Sequence, residues 1–375
     1  GKVNMIYFDH AATGFTKSGA VIDAVKNAME SCGNPGRGSH EAAVHAAEAV
    51  YGCREAVGAL VGCPPEHVVL TPNTTFALNE AINGLIDGGR VIMSPLEHNS
   101  VCRPLYALEK QKRVRTEVFD MSTEDDRYTV ECVKKLCRKH ITAAVFTHAS
   151  NVCGRILPVR AIADAVHDAG GIVILDAAQS AGHIDVTFDS TGADVICLAG
   201  HKRLGGPLGT GAMALSGRVV RRIKPFVYGG SGIASLERDM PGVLPERMEA
   251  GTLNAPAFAG LAEAIRSRRE GNEKEIFRYI VGELKKIPGV VLYGCPGMNP
   301  ESYVPVLLFN IRGMGSDAVA AHLSSKGICV RSGWHCSPLA HRFLGSEGGV
   351  RISIGESNTH DEARELVRAL TSLAE

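Results

Sequence analysis

Between about residues 67 and 216, short apolar runs alternate with segments of helical periodicity. The runs have the length of strands, and intervening segments such as 74–86 and 159–169 have the length and pattern of amphipathic helices. This alternation favours βαβ units and a mainly parallel sheet, whose ligands lie beyond the carboxyl ends of the strands. The predicted strands are 67–70, 90–93, 116–119, 143–146, 171–175, 194–198 and 211–215.

Two polar residues follow successive apolar runs near the middle of the chain. Asp176 ends one run, and Lys202 follows the next within a glycine-rich stretch. A buried carboxylate needs a cationic partner, which a protonated pyridine nitrogen provides. Such a lysine is either a phosphate clamp or a Schiff-base former, and the chain lacks the GxxxxGK[ST] loop of a nucleotide clamp. Asp176 and Lys202 together therefore predict a pyridoxal phosphate (PLP) site.

Other polar residues follow the predicted strands at the same end of the sheet. Thr74 and Thr75 open a helix whose free N–H groups and dipole suit a phosphate, although Asn73 or Thr74 can also be only a helix cap. His98 can stack on a flat ring or move protons, or it is simply solvated. Asn151 can donate to a phenolic oxygen of the cofactor, or it only forms a turn.

Gln179 lies three residues after Asp176, and His201 directly precedes Lys202. Gln179 can reach the face of the cofactor ring or be structural, and His201 is available to the cofactor phosphate.

Two candidates lie in the C-terminal third. Cys336 follows His335 on a polar loop with a nearby arginine, an environment that favours the thiolate; the alternative is an ordinary surface thiol. Arg351 begins a predicted strand and suits bidentate capture of an amino-acid carboxylate, or it forms a surface ion pair.

The composition restricts the partners. Forty basic and forty acidic residues give the 375-residue chain no net charge, so no overall field recruits nucleic acid or an anionic membrane. No segment approaches eighteen consecutive apolar residues, and the eleven cysteines are scattered without a CxxC pair. We therefore expect a cytoplasmic protein that acts on small polar metabolites and protein partners, and we assign no metal ligands.

The pattern changes after about residue 256. A long helical segment at 257–286 leads into short runs at 290–293, 304–311, 318–326, 329–331 and 350–353, with a closing helix from Asp361. These runs are typical of a smaller α+β domain. We predict a large cofactor-binding domain at 16–256 and a small domain, formed by 1–15 and 257–375, that carries the cysteine loop.

The motifs, in their order and spacing, resemble those of fold-type I PLP-dependent enzymes. The whole chain is similar to the class V aminotransferase superfamily, and specifically to the cysteine desulfurase and selenocysteine lyase family. The short cysteine loop resembles that of the group II branch, whose members hand sulfur to a partner protein. The matching segments are 7–13, 97–98, 150–151, 176–179, 200–202, 249–252, 333–336 and Arg351.

This resemblance implies a homodimer with PLP bound in each subunit. Lys202 would hold the cofactor as a Schiff base, Asp176 would pair with the ring nitrogen, and His98 would stack on the ring. Gln179 and Asn151 would contact the phenolic oxygen. The implied phosphate ligands are Thr74, Thr75, His201 and, from the second subunit, Thr252.

The resemblance also implies the substrate contacts. Arg351 would hold the substrate carboxylate beside His98 and Asn151, and Cys336 would be the nucleophile. One position departs from the family pattern: Ala199 stands where many relatives have Ser or Thr, so one phosphate hydroxyl is missing. The cost of losing such a bond is about 1.5–3 kcal/mol unless another donor compensates.

The implied reaction is that of a cysteine desulfurase, which converts L-cysteine to L-alanine and leaves a persulfide on Cys336 for transfer to an acceptor protein. The alternative is a selenocysteine lyase, which releases selenium from L-selenocysteine to give L-alanine. A class V aminotransferase or kynureninase-like hydrolase is a further alternative, but neither has a use for a loop cysteine.

Overall fold

The chain builds a large sheet and a smaller sheet, each flanked by helices. The computed structural model describes residues 5–297 and 299–374; residues 1–4, Met298 and Glu375, which belong to the predicted small domain, lie outside the described residues. The strands are β1 (Ile6–Tyr7), β2 (Val68–Thr71), β3 (Gly89–Met93), β4 (Val114–Val118), β5 (Ala143–Thr147), β6 (Ile172–Asp176), β7 (Val195–Ala199), β8 (Gly211–Leu215), β9 (Val290–Tyr293), β10 (Val306–Ile311), β11 (Ile328–Cys329), β12 (Arg331–Gly333) and β13 (Gly349–Ser353).

Helices occupy most of the remaining chain. None of those within the described residues is both long enough and apolar enough to cross a membrane. The helices are α1 (Gly19–Ser31), α2 (Glu41–Val61), α3 (Thr74–Leu85), α4 (Asn99–Lys110), α5 (Asp126–Leu136), α6 (Val159–Asp168), α7 (Phe188–Thr191), α8 (Ala255–Ser267), α9 (Glu273–Leu284), α10 (Ser316–Ser325), α11 (Pro338–Leu344) and α12 (His360–Ala374).

The large sheet has seven strands in the order β2-β8-β7-β6-β5-β3-β4. Only β8 is antiparallel to its neighbours, and the other pairs are parallel. Each predicted strand is found within two residues of its expected limits. The prediction of an α/β fold with a mainly parallel seven-stranded sheet is therefore confirmed.

The central strands are buried on both faces. In β6, Ile172 and Ile174 pack on the side of α3 and α4, whereas Val173 and Leu175 pack on the opposite side. A strand covered on both faces has no place for a polar side chain until it ends. Asp176, the last residue of β6, stands at that point.

The helices that follow β2 and β3 begin at the same edge of the sheet. Asn73 caps α3 by accepting from the N–H of Phe76 at 2.8 Å, and His98 caps α4 by accepting from the N–H of Ser100 at 3.0 Å. The positive ends of both helix dipoles therefore lie at the carboxyl end of the sheet.

The smaller sheet is antiparallel, in the order β12-β13-β10-β9, and packs against α9, α10 and α12. The N-terminal segment joins this part of the molecule: β1 pairs with β11, and Asp9 forms a bridge with Ser353. Asp9 is thereby brought from the start of the chain to the strand that carries Arg351.

Two elements that the sequence predicts as continuous are each divided in the structure. The helix expected at 257–286 is two helices, α8 and α9, because Arg268 adopts an extended backbone (φ −57°, ψ 135°) and donates to the backbone oxygen of Gly182 at 2.7 Å. The single strand expected at 329–331 is divided between β11 and β12, because the chain leaves the partner β1 there and pairs with β13 instead.

Candidate active site

Lys202 and Asp176 lie at the carboxyl ends of paired strands. β6 pairs with β7, and Lys202 is in the turn that follows β7. Burial lowers the pKa of Lys202 to about 8, and Asp176 opposes this shift. Burial raises the pKa of Asp176, and Lys202 opposes that shift in turn. The two groups therefore lie within electrostatic range of each other, as a shared ligand requires.

Two buried polar groups here fit the cofactor. Asp176 is 5 % exposed and accepts from the N–H of Ala178 at 3.0 Å, but no basic side chain of the described residues forms an ion pair with it. Thr74 Oγ1 is buried and has no hydrogen-bond partner among the same residues. A protonated pyridine nitrogen would satisfy Asp176, and a phosphate oxygen would satisfy Thr74. The donor set thus suits PLP.

His98 is fixed by its neighbours at the start of α4. Its Nδ1 accepts from the backbone N–H of Ser100, so its proton is on Nε2. Ser100 Oγ lies 2.8 Å from this Nδ1 and 2.7 Å from Thr75 Oγ1. Burial, together with the charges of Lys202 and Arg351, lowers the pKa of His98 to about 4. His98 is therefore a neutral ring, suited to stacking and to donating from Nε2.

The N-terminus of α3 carries the groups from which the sequence predicts a phosphate cradle. Asn73 is the cap, so the buried hydroxyl of Thr74 has no partner among the described residues, while the hydroxyl of Thr75 bonds to Ser100. His201 Nδ1 lies 3.1 Å from Thr13 Oγ1. These groups are near the strand ends that carry Lys202 and Asp176.

Thr252 does not join these residues. It lies in a cleft of about 750 Å³, where Asn34 Nδ2 donates to its hydroxyl at 3.4 Å. Nearby, Glu249 forms a buried double ion pair with Arg54, both bonds 2.6 Å long, and accepts from the N–H of Leu70. This pair anchors the segment that carries Thr252 to β2.

Gln179 and Asn151 both have protein partners. Gln179 Nε2 donates to the backbone oxygen of Ala11 at 3.0 Å. Asn151 Nδ2 donates to the backbone oxygen of His335 at 2.9 Å, and its Oδ1 accepts from Ser337 Oγ at 2.8 Å. The amide of Asn151, which sequence reasoning assigned to the cofactor, therefore holds the cysteine loop through its oxygen and one N–H, and its nitrogen carries a second N–H for a ligand.

Cys336 is the one exposed cysteine in the part of the chain that the structure describes. Its backbone oxygen accepts from the N–H of Asn99 at 2.8 Å, which docks the loop at the start of α4. His335 and Cys336 both have left-handed backbones, with φ of 51° and 55°. A left-handed backbone costs a non-glycine residue roughly 1–2 kcal/mol of conformational free energy, so contacts with the surrounding residues must hold the loop in place.

Arg351 is buried, with 3 % exposure, rather than part of a surface ion pair. It donates to the backbone oxygen of Asn151 at 3.1 Å and pairs with Asp9 at 3.2 Å, while its Nε has no partner among the described residues. Arg331 also binds Asp9, at 2.8 Å. A buried guanidinium with an unused N–H is suited to a carboxylate ligand.

The structure brings most of the predicted site residues to one end of the large sheet. Sequence reasoning missed the roles of Asp9 and Asn99. Asp9 lies within the matching segment 7–13, and Asn99 directly follows His98. The residues that converge are Lys202, Asp176, His98, Gln179, Thr74, Thr75, Asn151, His201, Cys336 and Arg351.

The chain is similar to known proteins over nearly its whole length. A probable cysteine desulfurase of Methanothermobacter thermautotrophicus is 31% identical and aligns with 98% of this chain and 94% of its own. A cysteine desulfurase of Haloferax volcanii is 28% identical over 99% of this chain and 90% of its own. The apo structure of a cysteine desulfurase from Thermococcus onnurineus NA1 superposes with a TM-score of 0.90 at 29% identity, covering 99% and 94% of the two chains.

The family model agrees with these relatives. The description Aminotransferase class-V matches residues 6–366, which include Lys202, Asp176, Cys336 and Arg351. The resemblance of the motifs is thereby confirmed, and the chain belongs to the class-V aminotransferase family.

Proposed function

We propose that the protein is a PLP-dependent cysteine desulfurase that converts L-cysteine to L-alanine and leaves the sulfur as a persulfide on Cys336. One observation carries the proposal: the exposed thiol of Cys336 is on a loop docked against Asn99 and Asn151, beside the residues that suit the cofactor. The relatives named cysteine desulfurase support it.

Each cofactor contact in the proposal uses a group described above. Lys202 would bond covalently to PLP, Asp176 would keep the ring nitrogen protonated, and His98 would stack on the ring. When bound, PLP supplies an electron sink for charge that develops on the substrate. The groups proposed for the remaining polar atoms are Gln179 and Asn151 at the phenolic oxygen, and Thr74, Thr75, His201 and the Thr252 of a second subunit at the phosphate.

The chain's own residues would then act on L-cysteine in a set order. Arg351 would bind the substrate carboxylate, with His98 and Asn151 at its side. Once the substrate amine has replaced it on the cofactor, the amine of Lys202, whose pKa is about 8, would take the proton from the substrate Cα. A base with a pKa near neutrality is suited to this transfer because it exists in both protonation states.

Cys336 would carry out the sulfur transfer. Its thiolate attacks the substrate sulfur, an S–S bond forms, and the substrate C–S bond breaks with its electron pair passing to Cβ, which takes a proton. One cysteine and one thiol thus become one alanine and one persulfide, without another oxidant or reductant. The outer sulfur would then pass to a thiol of an acceptor protein.

A test compares the wild type, Cys336→Ala and the control Cys32→Ala, each loaded with PLP. Alanine release from L-cysteine is measured together with the mass of the peptide that contains residue 336. We expect Cys336→Ala to lose at least 100-fold in alanine release and Cys32→Ala to match the wild type. Unchanged turnover by Cys336→Ala would contradict the proposal.

The same assay with L-selenocysteine separates the alternative activity. A desulfurase releases alanine from L-cysteine when an acceptor thiol is present. Negligible turnover of L-cysteine beside rapid turnover of L-selenocysteine would instead identify a selenocysteine lyase.

A further inference from the structure

A chain of hydrogen bonds joins the cysteine loop, residues 331–337, to α11 and the turn after it. His335 Nε2 lies 3.2 Å from the backbone oxygen of Arg331, and His335 Nδ1 lies 3.1 Å from Nε2 of His341. His341 Nδ1 lies 2.7 Å from Oγ of Ser346. The two imidazole rings are nearly parallel, at 17°, with their centroids 5.3 Å apart, which is the spacing of rings joined edge to edge by this hydrogen bond, and His341 has no exposed surface.

The protons along this chain can be placed from one acceptor. A backbone oxygen only accepts, so His335 must donate from Nε2 to Arg331. Burial, together with the charge of Arg351, lowers the pKa of His335 to about 3 and that of His341 to about 4. Each ring is therefore neutral and carries a single proton near pH 7.

The remaining bonds then have only one possible direction. His335 Nδ1 is bare and accepts from Nε2–H of His341. His341 Nδ1 is bare in turn and accepts from the hydroxyl of Ser346. A replacement for His341 can keep the chain only if it accepts at one end and donates at the other.

The loop that this chain reaches needs support. The left-handed backbones of His335 and Cys336 are unfavourable by themselves. They nevertheless present the oxygen of His335 to Asn151 and the oxygen of Cys336 to Asn99. The ring of His335 is a side chain through which α11 can hold this conformation, because hydrogen bonds at both of its nitrogens fix it in place.

We propose that His341 is a positioning residue for Cys336. By donating to His335 it holds the ring and the left-handed backbone of the loop, and so keeps the Cys336 thiol at the mouth of the site. This inference rests on the proposed function, since it gives His341 a part in persulfide formation and none in cofactor binding.

Two variants of the PLP-loaded enzyme test this role. His341→Phe keeps an aromatic ring but makes neither hydrogen bond, whereas His341→Gln can still accept and donate. One readout is the single-turnover rate of persulfide formation from L-cysteine. The other is hydrogen exchange at the Asn99 amide, the first of α4, which has no partner within its own helix and is protected by the oxygen of Cys336.

We expect His341→Phe to slow persulfide formation at least 10-fold and to speed Asn99 exchange at least 10-fold, with the absorbance of lysine-bound PLP unchanged. His341→Gln should lie within about three-fold of the wild type in both readouts. The role would be refuted by wild-type values in His341→Phe, or by equal losses in both variants accompanied by loss of PLP.

Hydrogen exchange at the Asn99 amide is measured without turnover, so it tests the role of His341 separately from the proposed desulfurase activity. If the wild type forms no persulfide, the proposed function is wrong. Faster Asn99 exchange in His341→Phe alone would still establish that His341 positions the loop.

Discussion

The amine of Lys202 has its pKa lowered to about 8 by burial, against the opposing charge of Asp176. A lysine must be neutral to capture PLP, and lowering its pKa makes the neutral form available at lower pH. The rate at which the PLP-free enzyme captures added PLP should therefore rise about 10-fold per pH unit below pH 8 and level off above it. Absorbance of the lysine-bound cofactor measures this rate.

The variant Asp176→Asn checks the cause of this pH dependence. Since Asp176 raises the pKa of Lys202, its removal should move the midpoint to lower pH. A rate that continues to rise towards pH 10 in the wild type would show that Lys202 has the pKa of an ordinary lysine.

Arg351 gives a second prediction for a single side chain. It is buried and already makes bonds to Asp9 and to the backbone of Asn151, so a lysine cannot reproduce its planar set of donors. Arg351→Lys should raise the KM for L-cysteine by at least 10-fold and leave bound PLP in place. The exposed Arg342 on α11 is the matched control, and Arg342→Lys should leave KM unchanged. A KM for Arg351→Lys equal to that of the wild type would exclude the proposed carboxylate contact.

At the scale of elements, the start of α3 is expected to hold the phosphate. Thr74 Oγ1 is buried and has no partner in the described part of the chain, and a hydrogen bond to a charged phosphate is worth about 1.5–3 kcal/mol. Thr74→Val should therefore raise the Kd for PLP roughly 10- to 100-fold, as measured by equilibrium titration.

The control for Thr74 is Thr116 on the edge strand β4. Its hydroxyl is also buried without a partner in the described structure, but it lies far along the sheet from β6 and β7. Thr116→Val should leave the Kd for PLP unchanged. Equal effects of the two substitutions would mean that the start of α3 has no special role.

For the whole molecule, the proposed homodimer predicts sites shared between subunits. Thr252 lies in a cleft apart from Lys202 in its own chain. A mixture of Lys202→Ala and Thr252→Val subunits would therefore contain dimers in which one site has both Lys202 and Thr252. That site should bind PLP with wild-type affinity, whereas Thr252→Val alone should bind it more weakly.

The measurement is a PLP titration of the mixed and the separate variants after subunit exchange. If mixing restores no affinity, Thr252 acts within its own subunit or not at all. A mixture that titrates in two phases, one of them with the wild-type Kd, supports a shared site.

The predictions from sequence succeed where the pattern of apolar residues along the chain is clear. Burial on both faces makes β5, β6 and β7 continuous apolar runs, so the strands and the polar residues at their ends are visible in the chain itself. The prediction of one helix at 257–286 was wrong because Arg268 leaves the helical conformation and donates to Gly182, and because Gly271 and Asn272, which favour turns, come before α9.

The sequence by itself therefore determined the sheet and the meeting of Asp176 and Lys202 at its edge, because the alternation of strands and helices and the residues at strand ends are local properties of the chain. The class of cofactor follows from this pair. Only the tertiary structure decided what holds Arg351 and Cys336. Asp9 meets Arg351 across 342 residues, and the cysteine loop meets Asn99 and Asn151 through folding of distant segments. Such contacts have no period in the chain, because they depend on how whole elements pack.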